Sequence, residues 1–161
     1  MRKGHHDVKK LAFIVLLILA TVCCFPIDFR NTSWQMNQDQ VIASEQDRAV
    51  SETSFSGQEQ IVYKTYKDGF PCNIIYTLDN DKLHSASYSF KNDQSMQIFK
   101  QLSQELLGQY GKPSFQAESL VVWRLQDTEI ALAHLPDNTC YVAYWEKAYF
   151  AQMNQLSKPG Q

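Results

Sequence analysis

Alternating apolar and polar residues mark six segments of the chain as β-strands. Three of these segments, at residues 60–67, 70–78 and 82–90, follow one another closely, and three more lie at 120–125, 128–135 and 139–145. Short polar turns join the segments within each set of three, which is typical of antiparallel strands. Because side chains two residues apart share a face of a strand, the pattern predicts two meanders, each with one apolar face.

A helix signal precedes the first set of strands. Asn37 is a good N-cap, and Gln40 stands three residues later, where its side chain can complete a capping box. Met36 and Val41 occupy the two positions of a hydrophobic staple. We therefore predict a short helix at residues 38–46.

A second, longer helix is predicted between the two sets of strands, at residues 93–110. Gly111 and Pro113 end it, because glycine favours the helix C-terminus and proline cannot continue the helix. The apolar residues of the long helix recur at intervals of three and four: Met96, Phe99, Leu102, Leu106 and Tyr110.

The polar segment 47–58, between the first helix and the first strand, has no strong period. It is predicted as a loop or an irregular edge strand.

The two halves of this pattern resemble each other. An offset of 56 residues brings apolar strand positions onto apolar strand positions: Ile74 onto Ile130, Tyr76 onto Leu132, and Tyr88 onto Tyr144. The predicted fold class is therefore α+β, a tandem repeat of a helix packed on a three-stranded antiparallel meander. Together the repeats are expected to form one curved antiparallel sheet with helices on one face.

The start of the chain indicates export. Four basic residues precede an uninterrupted apolar run at residues 11–25. Its 15 residues match a secretory leader and fall short of the roughly 20 residues that span a bilayer. We predict a signal peptide or an uncleaved membrane anchor at 1–26, and thus a domain that is periplasmic, at the cell surface or membrane-anchored, outside the cytoplasm.

The remainder divides into three parts. Residues 27–33 are predicted as a linker and 34–145 as the α+β domain, with halves at about 34–90 and 91–145. Residues 146–161 form a C-terminal tail, for which a helix is one alternative.

Four cysteines raise the question of modification. Cys23 and Cys24, at the end of the leader, are candidate lipidation sites, and the alternative is that both are small apolar residues of the run. Cys72 and Cys140 are candidate partners in a disulfide, which an oxidising compartment would permit if strand geometry brought them together.

Composition and charge limit the function further. Hydrophobic residues make up 44% of the chain and charged residues 20%, as in ordinary globular proteins. Four of the 15 Lys and Arg residues and one of the 17 Asp and Glu residues precede residue 25, so the rest carries a formal charge of −5. Because basic residues do not cluster, no nucleic-acid partner is predicted.

Two motifs resemble those of a known superfamily: Trp34-x-Met36-Asn37-x-x-x-Val41, and Leu106-x-x-x-Tyr110-Gly111-x-Pro113 with Trp123 ten residues later. The chain is similar to small exported bacterial proteins of the superfamily that includes outer-membrane assembly lipoproteins and secreted β-lactamase inhibitor proteins. The resemblance covers most of residues 34–145. It implies roles in packing, with the Met at a helix start and Gly-x-Pro turning the chain, and it carries over no inhibitor contacts.

No pattern of catalytic residues accompanies this fold. His84 and His134 each stand alone in a strand, no serine lies in a Gly-x-Ser-x-Gly motif, and Cys72 shares the face of apolar neighbours, where a thiol is inert. Asp79 and Asp81 are explained by turn formation. We therefore predict no enzymatic activity, no cofactor and no metal site.

The aromatic residues suggest binding instead. Aromatic residues make up 12% of the chain, with eight Tyr and three Trp. If the long helix covers one face of the sheet, alternation places five candidate binding residues on the opposite face: Tyr141, Trp145, Arg124, Val122 and Ile75. We predict a binding module for an unknown envelope or extracellular protein, linked to a membrane by its N-terminal segment if that is uncleaved or acylated. The alternative is a carrier of a small apolar ligand between helix and sheet. The aromatic face could instead be covered, either by a curled sheet or by the C-terminal segment 146–156.

Overall fold

One antiparallel sheet dominates the structure. The computed structural model describes residues 28–55 and 58–156. Its eight strands are β1 (Ser51–Phe55), β2 (Gln58–Lys67), β3 (Phe70–Asp79), β4 (Lys82–Phe90), β5 (Phe115–Gln116), β6 (Leu120–Arg124), β7 (Thr128–His134) and β8 (Cys140–Glu146). Across the sheet they follow the order β1-β2-β3-β4-β8-β7-β6-β5, so that β4 and β8 join two meanders at the centre.

Three helices complete the described part of the chain: α1 (Gln38–Ser44), α2 (Gln97–Tyr110) and α3 (Lys147–Leu156). The predicted α+β class with a single antiparallel sheet is confirmed. Each half contains four strands where three were predicted. β1 occupies the segment for which an edge strand was one alternative, whereas β5 has only two residues and is too short to show a period.

The start of α1 agrees with its sequence signal. The Asn37 side chain accepts a hydrogen bond from the backbone N–H of Gln40 at 2.9 Å, and the Gln40 side chain accepts one from the backbone N–H of Asn37 at 3.0 Å. Val41 is buried and Met36 packs against the same core. The helix ends at Ser44, two residues before the predicted end.

The long helix α2 begins four residues later than predicted, and a residue outside it caps its start. The buried Asp93 carboxylate accepts hydrogen bonds from the backbone N–H groups of Ile98 and Phe99, each at 3.0 Å. Residue 96 has a positive φ of 56°, so regular helix begins only at Gln97. At the other end Gly111 adopts a φ of 73°, which few other residues tolerate, and ends the helix as predicted.

The core lies between α1, α2 and one face of the sheet, here called the inner face. The inner residues of β3 are Cys72, Ile74, Tyr76 and Leu78, and all are buried, as alternation predicted. On the second half Ile130, Leu132, Val142 and Tyr144 pack in the same cluster as the apolar side of α2. The opposite face is called the outer face.

Two features at the ends of the domain add to what the sequence predicts. Residues 28–33 are not a simple linker, because Phe29 is buried among the rings of Tyr76, Tyr88 and Tyr144. A single aromatic residue in a polar segment has no period to reveal this packing. The tail helix α3 lies on the outer face, where Phe150 contacts Trp145 with ring centroids 5.5 Å apart.

The leader at 1–26 and the candidate lipidation sites lie outside the described residues. No helix within residues 28–55 and 58–156 is long and apolar enough to cross a membrane.

Candidate functional site

The five candidate residues of the aromatic face do share one face of the sheet. In the middle row of the outer face, the register pairs Val122 with Ala131, Ala131 with Ala143, Ala143 with Ser87, and Ser87 with Ile75. A second row joins Arg124, Glu129 and Trp145, and a third row contains Tyr141. Cross-strand partners point to the same side, so all five candidates lie opposite α2.

These residues form a broad surface and do not meet at one point. Neighbouring strands are about 4.8 Å apart, so Arg124 and Trp145, two strands apart, are separated by roughly 10 Å along the sheet. Val122 and Ile75 are four strands apart, or roughly 19 Å. Tyr141 and Trp145 are four residues apart on β8, or roughly 13 Å, so a partner that contacts Tyr141, Trp145 and Arg124 together must cover a broad epitope.

The middle of the outer face is formed by small residues. Ser87 and Ala143 are both buried, although they point away from α2. Tyr141 and Trp145, two positions either side of Ala143 on β8, are half-buried. The larger side chains thus shield a central strip of small residues. Ser87 points to the outer face and is nevertheless buried.

Arg124 already has a partner on this face. Its guanidinium Nε donates a hydrogen bond to the Glu129 carboxylate at 3.2 Å, across the β6–β7 pair. The Arg124 side chain is 59% exposed and that of Glu129 is 12% exposed. A ligand that binds the free side of the guanidinium would therefore meet an arginine held in place by a neighbouring carboxylate.

The outer face is covered in one part and open in another. The tail predicted at 146–161 begins with helix α3, whose Phe150 lies against Trp145. Tyr149 of the same helix stacks on His84, with ring centroids 4.1 Å apart and an interplanar angle of 11°. The face is thus covered near Trp145 by the chain itself and is more open towards Tyr141.

A cleft on the outer face adjoins Tyr141 and was not predicted from the sequence. It has a volume of about 490 Å³. We call it the lysine cleft. It lies where the third row of the outer face continues from Tyr141 to Ser89, Asn73 and Lys64. Its lining includes Lys64, Lys91, Tyr66, Asn73, Ser89 and Asp47.

A polar cluster holds the start of α3 against β4. The Gln35 Nε2 group donates hydrogen bonds to both carboxylate oxygens of Glu146, at 2.8 and 2.7 Å, and the His84 ring contacts the same carboxylate. A second cleft of about 470 Å³ lies beside this cluster, lined by Trp34, Asp127 and other residues. Burial, with Asp127 and Glu146 nearby, raises the pKa of the Asp28 carboxyl.

On the inner face, an ion pair ties residues 28–33 to the end of α1. Arg30 forms two hydrogen bonds to the Glu45 carboxylate, at 3.0 and 3.2 Å, and the Tyr76 hydroxyl donates to that carboxylate. The Glu45 side chain is 3% exposed. Burial and the neighbouring Glu45 raise the pKa of Tyr76. These contacts join the segment before α1, the end of α1 and β3, so this network is structural.

The two described cysteines do not form the candidate disulfide. Cys72 lies on β3 and Cys140 on β8, and β4 separates these strands, so both thiols are free. Both are buried, and burial raises the pKa of Cys72 and raises that of Cys140 to about 12. His134 also lies at the edge of the core, where its Nε2 is 2.8 Å from the backbone oxygen of Asp93.

Within the part of the chain that the structure describes, no three His, Cys, Asp or Glu residues are grouped so that they could hold a metal ion. His84 and His134 contact different parts of the molecule and do not approach the thiols in any described contact.

Comparison with known proteins places the chain in a family. No curated protein is significantly similar in sequence. A crystal structure of a cysteine-rich secretory protein from Staphylococcus aureus aligns with 80% of this chain and 51% of that chain, at 11% identity and a TM-score of 0.45. This chain spans about half the length of that protein. The model of the family described as the TP0088 domain matches residues 26–156, most of the chain, and the chain therefore belongs to the TP0088 domain family.

Proposed function

We propose that this protein is a non-catalytic binding module of the bacterial cell envelope that binds a protein partner through the outer face of its sheet. The observation that carries the proposal is the common placement of Tyr141, Trp145 and Arg124 on that face. Tyrosine, tryptophan and arginine dominate the energetics of protein interfaces. Val122 and Ile75 extend the same surface along its middle row.

The surroundings of these residues also suit binding. Arg124 is 59% exposed and oriented by Glu129, so it loses little side-chain freedom when a partner binds. Tyr141 is half-buried at the open end of the face. A partner that binds at Tyr141 and Arg124 would come to lie next to Phe150, and α3 would then form one wall of the interface.

Catalysis has less support than binding. The buried thiols have raised pKa values and are poor nucleophiles at neutral pH. The alternative of an apolar-ligand carrier would need a cavity between α2 and the sheet. Instead, Phe99, Leu102 and Leu106 of α2 pack directly into the core cluster, so no observation favours the carrier.

The test is a triple variant, Tyr141→Ala, Trp145→Ala and Arg124→Ala, used as bait in crosslinking and pull-down from envelope extracts. A matched control changes two exposed apolar residues and one cation on the helices: Ile42→Ala, Leu107→Ala and Lys100→Ala. Partners that the parent and the control capture should be lost from the triple variant, since each truncation at an interface centre costs about 2 kcal/mol or more.

Far-UV circular dichroism should show unchanged secondary structure in the triple variant. Because Trp145 also packs on Phe150, the double variant Tyr141→Ala and Arg124→Ala is the safer test if the triple variant loses structure. A folded double variant that captures every partner of the parent would rule out the outer face as the binding surface.

We also propose that the domain is exported, on the basis of the charge and apolar length of residues 1–26. The leader then either anchors the domain to the membrane or is cleaved and releases it. Fusion of residues 1–33 to a reporter should direct it out of the cytoplasm, and Ile18→Arg should retain it inside. Fatty-acid labelling that disappears in a Cys23→Ser and Cys24→Ser variant would establish acylation. A reporter that stays in the cytoplasm contradicts the export proposal.

We infer further that the fold arose as a tandem repeat, now of a helix and four strands. The cross-strand pairs Ile74–Tyr88 and Tyr76–Ala86 become, after an offset of 56, Ile130–Tyr144 and Leu132–Val142, which are also cross-strand pairs. At the centre, the same offset carries Ser87 onto Ala143, which is its own cross-strand partner. This two-fold pattern supports the resemblance to the outer-membrane lipoprotein and inhibitor superfamily, which stays a proposal.

A further inference from the structure

The lysine cleft is separate from the aromatic residues of the proposed interface. The side chains of Lys64, Tyr66 and Asn73 point to the outer face, since Lys64 pairs with Asn73 and lies two positions from Val62, the partner of Ile75. Ser89 links the cleft to the aromatic face through its pairing with Tyr141. A volume of about 490 Å³ falls within the range of small-molecule sites.

The charges of the cleft favour an anion. Within residues 28–55 and 58–156, neither the Lys64 nor the Lys91 ammonium forms an ion pair with a carboxylate. This contrasts with Lys67, which contacts both Asp68 and Glu105. Two unpaired ammonium groups from β2 and the end of β4 therefore face one concave surface, where a carboxylate could lie between them.

The remaining polar groups favour a ligand that also carries hydroxyl groups. Asn73 and Ser89 contribute an amide and a hydroxyl, which can both donate and accept hydrogen bonds. The Asp47 carboxylate, which also lines the cleft, can only accept hydrogen bonds when it is ionised, and this suits a ligand hydroxyl and not a second anionic group. Tyr66, 74% exposed, presents its ring to solvent beside these groups. Its apolar face can cover the C–H groups of a ring-shaped ligand.

We propose that the lysine cleft binds a small hydroxylated carboxylate, such as an acidic sugar. The carboxylate lies between Lys64 and Lys91, the hydroxyl groups bond to Asn73, Ser89 and Asp47, and Tyr66 packs against the ring. This site goes beyond the proposed protein-binding face, because it uses none of Tyr141, Trp145 and Arg124.

The experiment is a calorimetric titration of the purified full chain with each of three probes: glucuronate, glucose and inorganic phosphate. Glucuronate should bind saturably, and glucose and phosphate at least tenfold more weakly. The double variant Lys64→Gln and Lys91→Gln should bind glucuronate at least tenfold more weakly than the parent. Raising the salt concentration should weaken glucuronate binding to the parent and have little effect on the double variant.

The control variant is Lys82→Gln and Lys100→Gln, which removes the same charge from exposed lysines at the other end of β4 and on α2. It should bind glucuronate like the parent. The proposal is overturned if glucuronate does not saturate, if phosphate or glucose binds as tightly as glucuronate, or if the control loses as much affinity as the cleft variant. Since no residue of the aromatic face is changed, these outcomes are independent of partner capture.

Discussion

Phe29 tests most directly whether the segment before α1 belongs to the domain. Its side chain is 3% exposed, and its ring centroid lies 5.0 Å from those of Tyr88 and Tyr144 and 5.6 Å from that of Tyr76. Phe29→Ala removes a buried ring and leaves a cavity among three large rings that cannot easily move inward. We expect the free energy of unfolding to fall by about 3–5 kcal/mol.

Urea denaturation followed by far-UV circular dichroism measures this loss. With a urea m-value of about 2 kcal/mol/M, the midpoint should fall by roughly 2 M. Phe29→Leu keeps most of the apolar volume and loses the ring contacts, so a loss of about 1–1.5 kcal/mol is expected. Phe115→Ala is the matched control, because this phenylalanine in β5 is half-exposed.

The comparison between the two phenylalanines decides the result. If Phe29→Ala costs no more than Phe115→Ala, residues 28–33 do not pack on the core, and the domain begins at Trp34 as its sequence period suggests. If both variants lose 3–5 kcal/mol, β5 contributes far more than its two residues and its exposure indicate.

Three further changes test other parts of the structure. Met36→Ala should lower the free energy of unfolding by roughly 1–3 kcal/mol, through lost packing beside the start of α1, and an unchanged melting temperature would contradict this. Cys140, with a pKa raised by burial to about 12, should react with a thiol reagent only in denaturant, and rapid labelling of the native protein would show that β8 opens. Burial, Asp127 and Glu146 raise the pKa of Asp28, so its ionisation opposes folding and costs stability as pH rises through the folded-state pKa. Asp28→Asn should therefore raise the melting temperature at pH 7 and not at pH 3, and an equal change at both pH values would contradict the electrostatic cause.

Local patterns were sufficient to predict six of the eight strands and the start of α1. Alternation located the inner residues of β3 because that strand is buried on one face over most of its length. The capping box of α1 needs only Asn37 and Gln40, which are three residues apart and interact whatever the rest of the fold does. Such signals depend on neighbours in sequence and can therefore be recognised without a structure.

Long-range features could not be predicted in the same way. The β4–β8 pairing joins Tyr88 to Val142, 54 residues apart, and nothing in either strand specifies the other as its partner. Asp93 caps α2 from outside the regular helix, with the backbone turning through a positive φ at residue 96 before the helix begins. The burial of Phe29 depends on three rings from β3, β4 and β8, which only the folded sheet brings together.

The candidate site shows the same division. Strand parity was enough to place Tyr141, Trp145 and Arg124 on one face, because a residue's face depends only on its position in a strand and the strand register. The lysine cleft was missed because its residues come from three strands and Lys64 and Lys91 look like ordinary solvated lysines. The one available signal was that Lys64 and Tyr66 have the same parity as Val62, and thus belong to the outer face.

The two proposed sites on the outer face differ in how their charges are balanced, and this makes them separable. Arg124 is already neutralised by Glu129, so a partner at the aromatic face gains mainly from buried rings, and its dissociation constant should depend little on salt. Lys64 and Lys91 have no such carboxylate within the described residues, so an anion in the lysine cleft supplies the missing charge and should be displaced as ionic strength rises. Because Ser89 pairs with Tyr141, the two sites adjoin without sharing the residues that determine their affinity. A partner that carried an acidic sugar could occupy both at once, and its binding would then divide into a salt-dependent part that Lys64→Gln and Lys91→Gln remove and a salt-independent part that Tyr141→Ala removes.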